Sequence, residues 1–152
     1  MVLRIILFLG INFAALAIGS LFTNAGVSSD WYLSLNKAPW TPPGWAFGAA
    51  WTTIMICFAI YMAFVYQITH NKKLLITLFS IQWVLNVLWN PVFFYFHQAG
   101  AGLVVITALT IVVGAFLFRY GAAMKLKSLL ILPYFLWLLI ATSLNAYILV
   151  RN

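Results

Sequence analysis

The chain has 152 residues, of which 66% are hydrophobic and 6% are charged, and its mean hydropathy is +1.08. A water-soluble domain of this size cannot bury so much apolar surface, so a soluble globular protein is excluded. The composition predicts an integral membrane protein of the all-α class, forming a single domain over residues 1–152.

Eight Lys and Arg residues stand against one acidic residue, Asp30. Such an excess in a soluble protein would suggest nucleic acid, but here the basic residues flank apolar runs. In that position they set membrane topology and contact lipid headgroups. We therefore expect membrane lipid, and no nucleic acid, among the partners.

Five apolar runs follow one another, each about long enough to cross a bilayer. They predict a five-transmembrane-helix bundle with spans over Leu3–Phe22, Trp45–Ile68, Leu74–Phe96, Ala101–Arg119 and Ser128–Val150. The first run is too long for the apolar core of a signal peptide, so we interpret it as a retained span. Its Ala15 and Gly19 form a small-xxx-small pair that favours close approach of another helix.

The connection Thr23–Pro43 is rich in tryptophan and proline. Rigid aromatic rings and prolines of fixed φ favour an ordered lid over the bundle. A belt of tryptophans at the membrane interface explains the same residues, and both interpretations stay open.

Three spans carry polar or aromatic stripes at helical spacing, which predicts inward faces. These stripes comprise Phe47, Trp51, Met55, Phe58 and Met62; then Gln82, Asn86, Trp89, Asn90 and Phe93; then Tyr134, Trp137, Ala141, Leu144, Asn145 and Ile148. The carboxamides favour ligand contacts and hydrogen bonds between helices equally.

The fourth span lacks strongly polar groups and is expected to present a broad side to lipid. Pro91 frees a carbonyl in the preceding turn, and Pro133 predicts a kink near the start of the fifth span.

Basic residues are distributed unequally between the two membrane faces. The face of the N-terminus has Arg4, Lys72, Lys73, Arg119, Lys125 and Lys127, whereas the other has Lys37 and Arg151. This bias predicts a cytoplasmic N-terminus in a bacterial cell membrane.

Four motifs resemble those of the translocator protein / tryptophan-rich sensory protein (TspO/MBR) family, also called the peripheral-type benzodiazepine receptor family. The first lies in the connection and comprises Trp31, Tyr32, Leu35, Lys37, Trp40, Pro42 and Pro43. The second runs from Phe47 to Thr52. The third comprises Gln82, Asn86, Trp89, Phe93 and Phe94. The fourth comprises Pro133, Tyr134, Trp137, Ala141, Leu144 and Asn145.

Three positions depart from the family pattern. Ala38 stands where the family usually has proline, and Ala146 replaces one of two aromatic residues found in animal members. Met55 replaces a tyrosine that many members carry as a candidate ligand contact, so this chain lacks the phenol hydroxyl at that point.

The resemblance implies a five-helix bundle, often a homodimer, with a ligand pocket beneath the first loop. Family members bind protoporphyrin IX and other tetrapyrroles, and animal members also bind cholesterol and synthetic isoquinoline and benzodiazepine drugs. The implied function is a membrane receptor or sensor for porphyrins or other hydrophobic small molecules. A tetrapyrrole transporter and a light- or oxygen-dependent porphyrin-degrading enzyme are the alternatives.

A porphyrin is a flat aromatic disc with anionic carboxylates. Indole and phenol rings can stack on its faces, and the N–H or O–H at the ring edge can donate a hydrogen bond. The candidate ligand-binding residues are Tyr32, Trp40, Pro42, Phe47, Trp51, Met55, Asn86, Trp89, Phe93, Trp137, Ala141 and Leu144. No catalytic constellation, metal-ligand spacing or cofactor motif is recognisable. If the protein is an enzyme, Trp51 and Trp137 are the candidate reactive residues. Solvated surface positions are expected for His70 and His97, with His97 as a haem ligand the weaker interpretation.

Overall fold

The computed structural model describes residues 1–152 and confirms the predicted five-helix architecture. Its helices are α1 (Val2–Val27), α2 (Asp30–Ser34), α3 (Gly44–Ile68), α4 (Lys72–Asn90), α5 (Ala99–Met124) and α6 (Leu132–Arg151). A π-helical turn, Pro91–Tyr95, extends α4, and a 3-10 segment, Lys125–Leu130, precedes α6. All except the short α2 are long and apolar enough to cross a membrane, which makes five spans.

The five long helices form a closed ring in the order α3, α1, α4, α5, α6. Tyr61 and Phe116 lie fully buried within it, and the Tyr61 hydroxyl donates to the Phe116 carbonyl at 2.9 Å. The Phe58 ring is surrounded by aromatic neighbours and has no exposed surface. Because lipid tails offer no hydrophobic force between helices, such packing and hydrogen bonds must stabilise the ring.

Small residues let α1 approach α4 closely, as the Ala15–Gly19 pair predicted. Ala15 is 2% exposed, and a Cβ on Gly19 would lie 2.6 Å from Asn90 Nδ2. At Gly26 a Cβ would lie 2.5 Å from Phe94 carbons. The two helices thus meet at glycines near the loop end of α1.

The inward stripes of α3, α4 and α6 are confirmed. Their most deeply buried members have relative exposures between 0% and 2% and comprise Met55, Phe58, Met62, Gln82, Phe93, Tyr134 and Asn145. Phe47, Trp51, Trp89 and Trp137 are half-buried at the margins of the stripes. On α5, the exposed side chains of Val104, Ile111 and Phe118 recur every seventh residue, so one side of this helix faces outward, as predicted.

Several helix boundaries differ from the prediction. The first span continues to Val27 rather than Phe22, and the short α2 lies inside the expected connection. The fourth span continues to Met124, because the buried Tyr120 and Met124 extend its inward stripe past Arg119. The predicted kink at Pro133 is wrong, since this residue lies in the first turn of α6, where proline is tolerated.

Candidate ligand-binding site beneath the aromatic loop

Residues 28–43, here called the aromatic loop, have local signals that order their first half. Ser29 caps α2 by accepting a hydrogen bond from the Tyr32 amide at 3.2 Å, and Asp30 lies in the first turn of this short helix. A serine cap and an acid at a helix N-terminus both stabilise the first turn. The capped α2 holds two aromatic residues, Trp31 and Tyr32, against the end of α4.

These two aromatic rings pack on the π-helical turn that follows α4. The Trp31 ring centroid lies 5.5 Å from that of Phe93 and 4.4 Å from that of His97, on which it stacks. The Tyr32 centroid lies 5.5 Å from that of Phe94. We call Trp31, Tyr32, Phe93, Phe94 and the neighbouring Ile148 the loop-side cluster.

The π-helical turn arises where proline removes a backbone donor. Pro91 has no N–H, and its carbonyl accepts from the Phe96 amide five residues later at 2.9 Å. This wider turn carries Phe93 and Phe94, both nearly buried, into the loop-side cluster. Single π turns often occur at functional sites.

One cation lies beside the loop-side cluster. The Lys37 ammonium is 4.5 Å from the centroid of the Tyr32 ring, a cation–π distance. Burial raises the pKa of the Tyr32 phenol above its usual value.

The second half of the aromatic loop docks on the C-terminal end of α6. The Asn36 amide donates to Asn152 Oδ1 at 2.8 Å. The Trp40 indole N–H donates to Ser143 Oγ at 3.1 Å, and its ring meets Tyr147 edge-to-face at 5.3 Å. The loop is therefore fastened to α6 at two points and lies over one end of the bundle.

A second aromatic group, here called the inner aromatic group, joins α3 to α6. Phe47 meets Trp137 edge-to-face with centroids 5.3 Å apart, and Trp51 meets Tyr134 in the same way at 6.0 Å. The Trp137 indole nitrogen is buried and has no hydrogen-bond partner in the protein. One helical turn further on, the small Ala141 is 9% exposed.

Trp89 packs against both the loop-side cluster and the main hydrophobic core of the bundle. It stacks on Phe93 with centroids 5.2 Å apart, and its indole N–H donates to Asn145 Oδ1 at 3.1 Å. Asn145 in turn donates to the Ala99 carbonyl at 2.7 Å. A single carboxamide thus connects α4, α5 and α6.

The other predicted site residues occupy distinct positions. Met55 is 1% exposed, and its carbonyl accepts from Asn12 Nδ2 at 3.4 Å, so it lies deep in the core. Leu144 is 8% exposed on the inward stripe of α6. Pro42 is half-buried in the loop just before α3.

The carboxamides of α4 have different partners. Gln82 Nε2 donates to the Tyr134 hydroxyl at 2.7 Å, and Asn90 Oδ1 accepts from the Thr23 hydroxyl at 2.7 Å. These two residues link helices, the role expected of polar groups between membrane helices. Asn86 is 6% exposed, and its backbone carbonyl accepts from Asn90 Nδ2. Its carboxamide is not engaged by another helix and remains available.

Several residues that fasten the loop were missing from the predicted site. Ser143 and Tyr147 receive Trp40, while Asn36 and Asn152 join the loop to the end of α6. Tyr147 is one of the chain's many aromatic residues, but nothing in a single sequence predicts its contact with Trp40, which is 107 residues away. The sequence did indicate an inward position for Asn145, because this residue lies on the predicted inward stripe of α6.

Five membrane-spanning helices that surround aromatic and carboxamide side chains define an integral, multi-pass membrane protein of the receptor, sensor or transporter type. The TspO/MBR family model matches residues 7–151, and the chain belongs to this family.

Similar proteins come from distant organisms. The tryptophan-rich protein TspO of Archaeoglobus fulgidus is 37% identical over 100% of this chain and 96% of its own length. Protein CrtK of Rhodobacter capsulatus is 33% identical over 76% of this chain and 74% of its own. The human translocator protein is 30% identical over 84% of this chain and 78% of its own.

Proposed function

We propose that this protein is a membrane receptor or sensor that binds protoporphyrin IX, and other hydrophobic ligands such as sterols or isoquinoline compounds, between its helices beneath the aromatic loop. The observation that carries the proposal is the buried Trp137 indole N–H, which has no partner within the protein. Buried donors are nearly always paired, so an unpaired one inside a membrane bundle is suited to an acceptor on a ligand.

The surroundings of Trp137 fit a flat aromatic guest. Phe47 and Trp51 offer aromatic surface on the facing helix, and both are half-buried rather than locked in the core. Ala141, one turn along α6, is the small residue on an inward stripe of otherwise larger side chains. Stacked or edge-to-face contacts contribute about 0.5–1.5 kcal/mol beyond the area they bury.

Anionic propionates need donors, and two groups are suited to them. The Asn86 carboxamide is nearly buried and free of other helices. Lys37 lies in the loop above, with its ammonium over the Tyr32 ring. Hydrogen bonds to charged groups contribute about 1.5–3 kcal/mol, so these donors favour a dianionic porphyrin over a neutral lipid.

In this proposal the ligand enters when the aromatic loop moves aside. Its attachments to α6 are exposed hydrogen bonds, from Trp40 to Ser143 and from Asn36 to Asn152. Segments held by few exposed hydrogen bonds open at low free-energy cost. A sensor that couples ligand binding to loop order would use this property.

The test is a titration of the purified protein with protoporphyrin IX in the dark, followed by tryptophan quenching. Trp137→Phe keeps an aromatic ring and removes the N–H, so we expect the dissociation constant to rise about 5–30-fold. Trp45→Phe is the matched control, because Trp45 is 76% exposed, and its affinity should equal that of the wild type. Absence of saturable quenching in the wild type would refute porphyrin binding, and equal affinity of the two variants would refute the role of Trp137.

Two further arms address the alternative functions. Light-dependent bleaching of the porphyrin that disappears in Trp51→Phe and Trp137→Phe would favour the degrading enzyme. Porphyrin flux into proteoliposomes would favour the transporter. We also propose a homodimer in a bacterial cell membrane with a cytoplasmic N-terminus, to be tested by cross-linking and by labelling of single introduced cysteines from either side.

A further inference from the structure

A groove lies at the membrane face that carries the N-terminus, far from the aromatic loop. It is formed where α3 and α5 end and the 3-10 segment begins, and its volume is about 350 Å³. Its lining comprises Phe64, Ile68, Ala123, Met124, Lys125, Leu126 and Lys127. The volume is within the range of small-molecule sites, about 300–1,000 Å³.

The groove has an apolar floor and a cationic rim. Phe64, Ile68 and Met124 provide the floor, and Lys125 and Lys127 provide the rim. The Lys127 ammonium lies 4.1 Å from the centroid of the Phe64 ring. No acid neutralises either lysine, because the only acidic residue of the chain begins α2 at the other membrane face.

The backbone at the rim is held in an unusual conformation. Lys125 has φ 50° and ψ −127°, a region that favours glycine and is strained for a lysine. Ser128 Oγ donates to the Gly121 carbonyl at 3.1 Å, which fastens the 3-10 segment to α5. Strained residues that persist in rigid surroundings are concentrated at binding sites.

We infer that this groove binds an anionic phospholipid, with the phosphate on Lys125 and Lys127 and the first part of an acyl chain along Phe64, Ile68 and Met124. Helix ends lie at headgroup depth, so an amphiphile meets both surfaces in the correct order. A free phosphate would leave the apolar floor unused, and a neutral lipid would leave two cations unpaired.

The other basic residues of the same membrane face do not line the groove. Arg4 and Lys72 both lie over the Tyr66 ring, at 5.3 and 4.1 Å, and Lys72 also donates to the Tyr66 carbonyl. Lys73 and Arg119 are exposed and do not line the groove. They supply a control of equal charge on the same face.

The test is native mass spectrometry of the protein in detergent, titrated with phosphatidylglycerol or with phosphatidylcholine of the same acyl chains. We expect at least one phosphatidylglycerol to bind in preference to phosphatidylcholine. Each lysine near a membrane surface is worth about fivefold in affinity, so Lys125→Gln/Lys127→Gln should weaken that binding about 30-fold. Lys73→Gln/Arg119→Gln should retain it within about twofold. Equal binding of the two lipids, or equal losses in the two variants, would overturn the inference.

Two further measurements do not depend on folding of the lysine variant. Ala123→Phe fills the groove while keeping both charges, and it should also weaken phosphatidylglycerol binding; unchanged binding would contradict a role for the apolar floor. Glycerol 3-phosphate, added to the wild type in large excess, should not displace the lipid. Displacement at concentrations comparable to the lipid would show a site for a free phosphate ester and would refute the lipid assignment.

Discussion

Replacing Asn145 with leucine tests how one carboxamide holds three helices together. The substitution removes the bonds to Trp89 Nε1 and to the Ala99 carbonyl. It leaves the indole N–H of the half-buried Trp89 unpaired, facing a position that is itself only 2% exposed. Hydrogen bonds between membrane helices average about 0.6 kcal/mol, and an unpaired buried donor costs about 1–3 kcal/mol. Leucine has the same number of side-chain heavy atoms as asparagine, so the substitution leaves no cavity, and Gly102 beside it has no Cβ to obstruct the added methyl groups. We expect a loss of about 2 kcal/mol in unfolding free energy.

The assay is reversible unfolding in mixed micelles of increasing SDS content, followed by circular dichroism. Asn24→Leu is the control, since Asn24 is exposed on α1 and should change the free energy by no more than about 0.5 kcal/mol. Trp89→Phe in the Asn145→Leu background removes the orphaned N–H and should recover part of the loss. Strict additivity of these two substitutions, or an Asn145→Leu protein as stable as the control, would refute the reasoning.

Three further predictions use the same unfolding assay or hydrogen exchange. Gly26→Ala should destabilise the protein by about 1–3 kcal/mol, because the new methyl group would lie 2.5 Å from Phe94 carbons. Gly10→Ala is the control, since nothing lies within 4 Å of the added methyl group, and it should be neutral or slightly stabilising. Equal effects of the two substitutions would contradict the close contact at Gly26. Tyr61→Phe removes one fully buried hydrogen bond of 2.9 Å to α5 and should cost about 0.5–1.5 kcal/mol, and a stability gain would count against that bond. Asn152→Ala removes the 2.8 Å hydrogen bond to the aromatic loop. Amide hydrogen exchange in residues 35–41 should become about fivefold faster, while the global free energy of unfolding stays the same. Unaltered exchange would show that other contacts hold the loop.

Sequence alone established the number of spans and their inward faces. A bilayer requires apolar runs of about 20 residues with every backbone group satisfied within its own helix, so span count is a local property. The inward faces follow from spacing: Gln82 and Asn145 recur at helical intervals on stripes that lipid would penalise. Both residues are almost fully buried in the structure.

The sequence predicted the boundaries of the helices less accurately than their inward faces. The extension of α5 to Met124 depends on Tyr120 and Met124 finding partners beyond the apolar run, and the sequence shows only that basic residues follow. The capping signal for α2 was present in Ser29 and Asp30, yet the surrounding tryptophans and prolines predicted an ordered lid and not a helix.

The tertiary structure alone decided which polar group meets which. Gln82 pairs with Tyr134 and Asn90 with Thr23, whereas Asn86 is left free, although all three carboxamides lie on the same stripe. In the same way, the Trp89 indole N–H donates to Asn145 Oδ1, whereas the Trp137 indole N–H has no partner. The physical reason is that partner choice depends on the order of helices in the ring and on their relative height and rotation. Those quantities are set by contacts between residues far apart in the chain, such as glycine against asparagine or tryptophan against serine, and no local pattern encodes them.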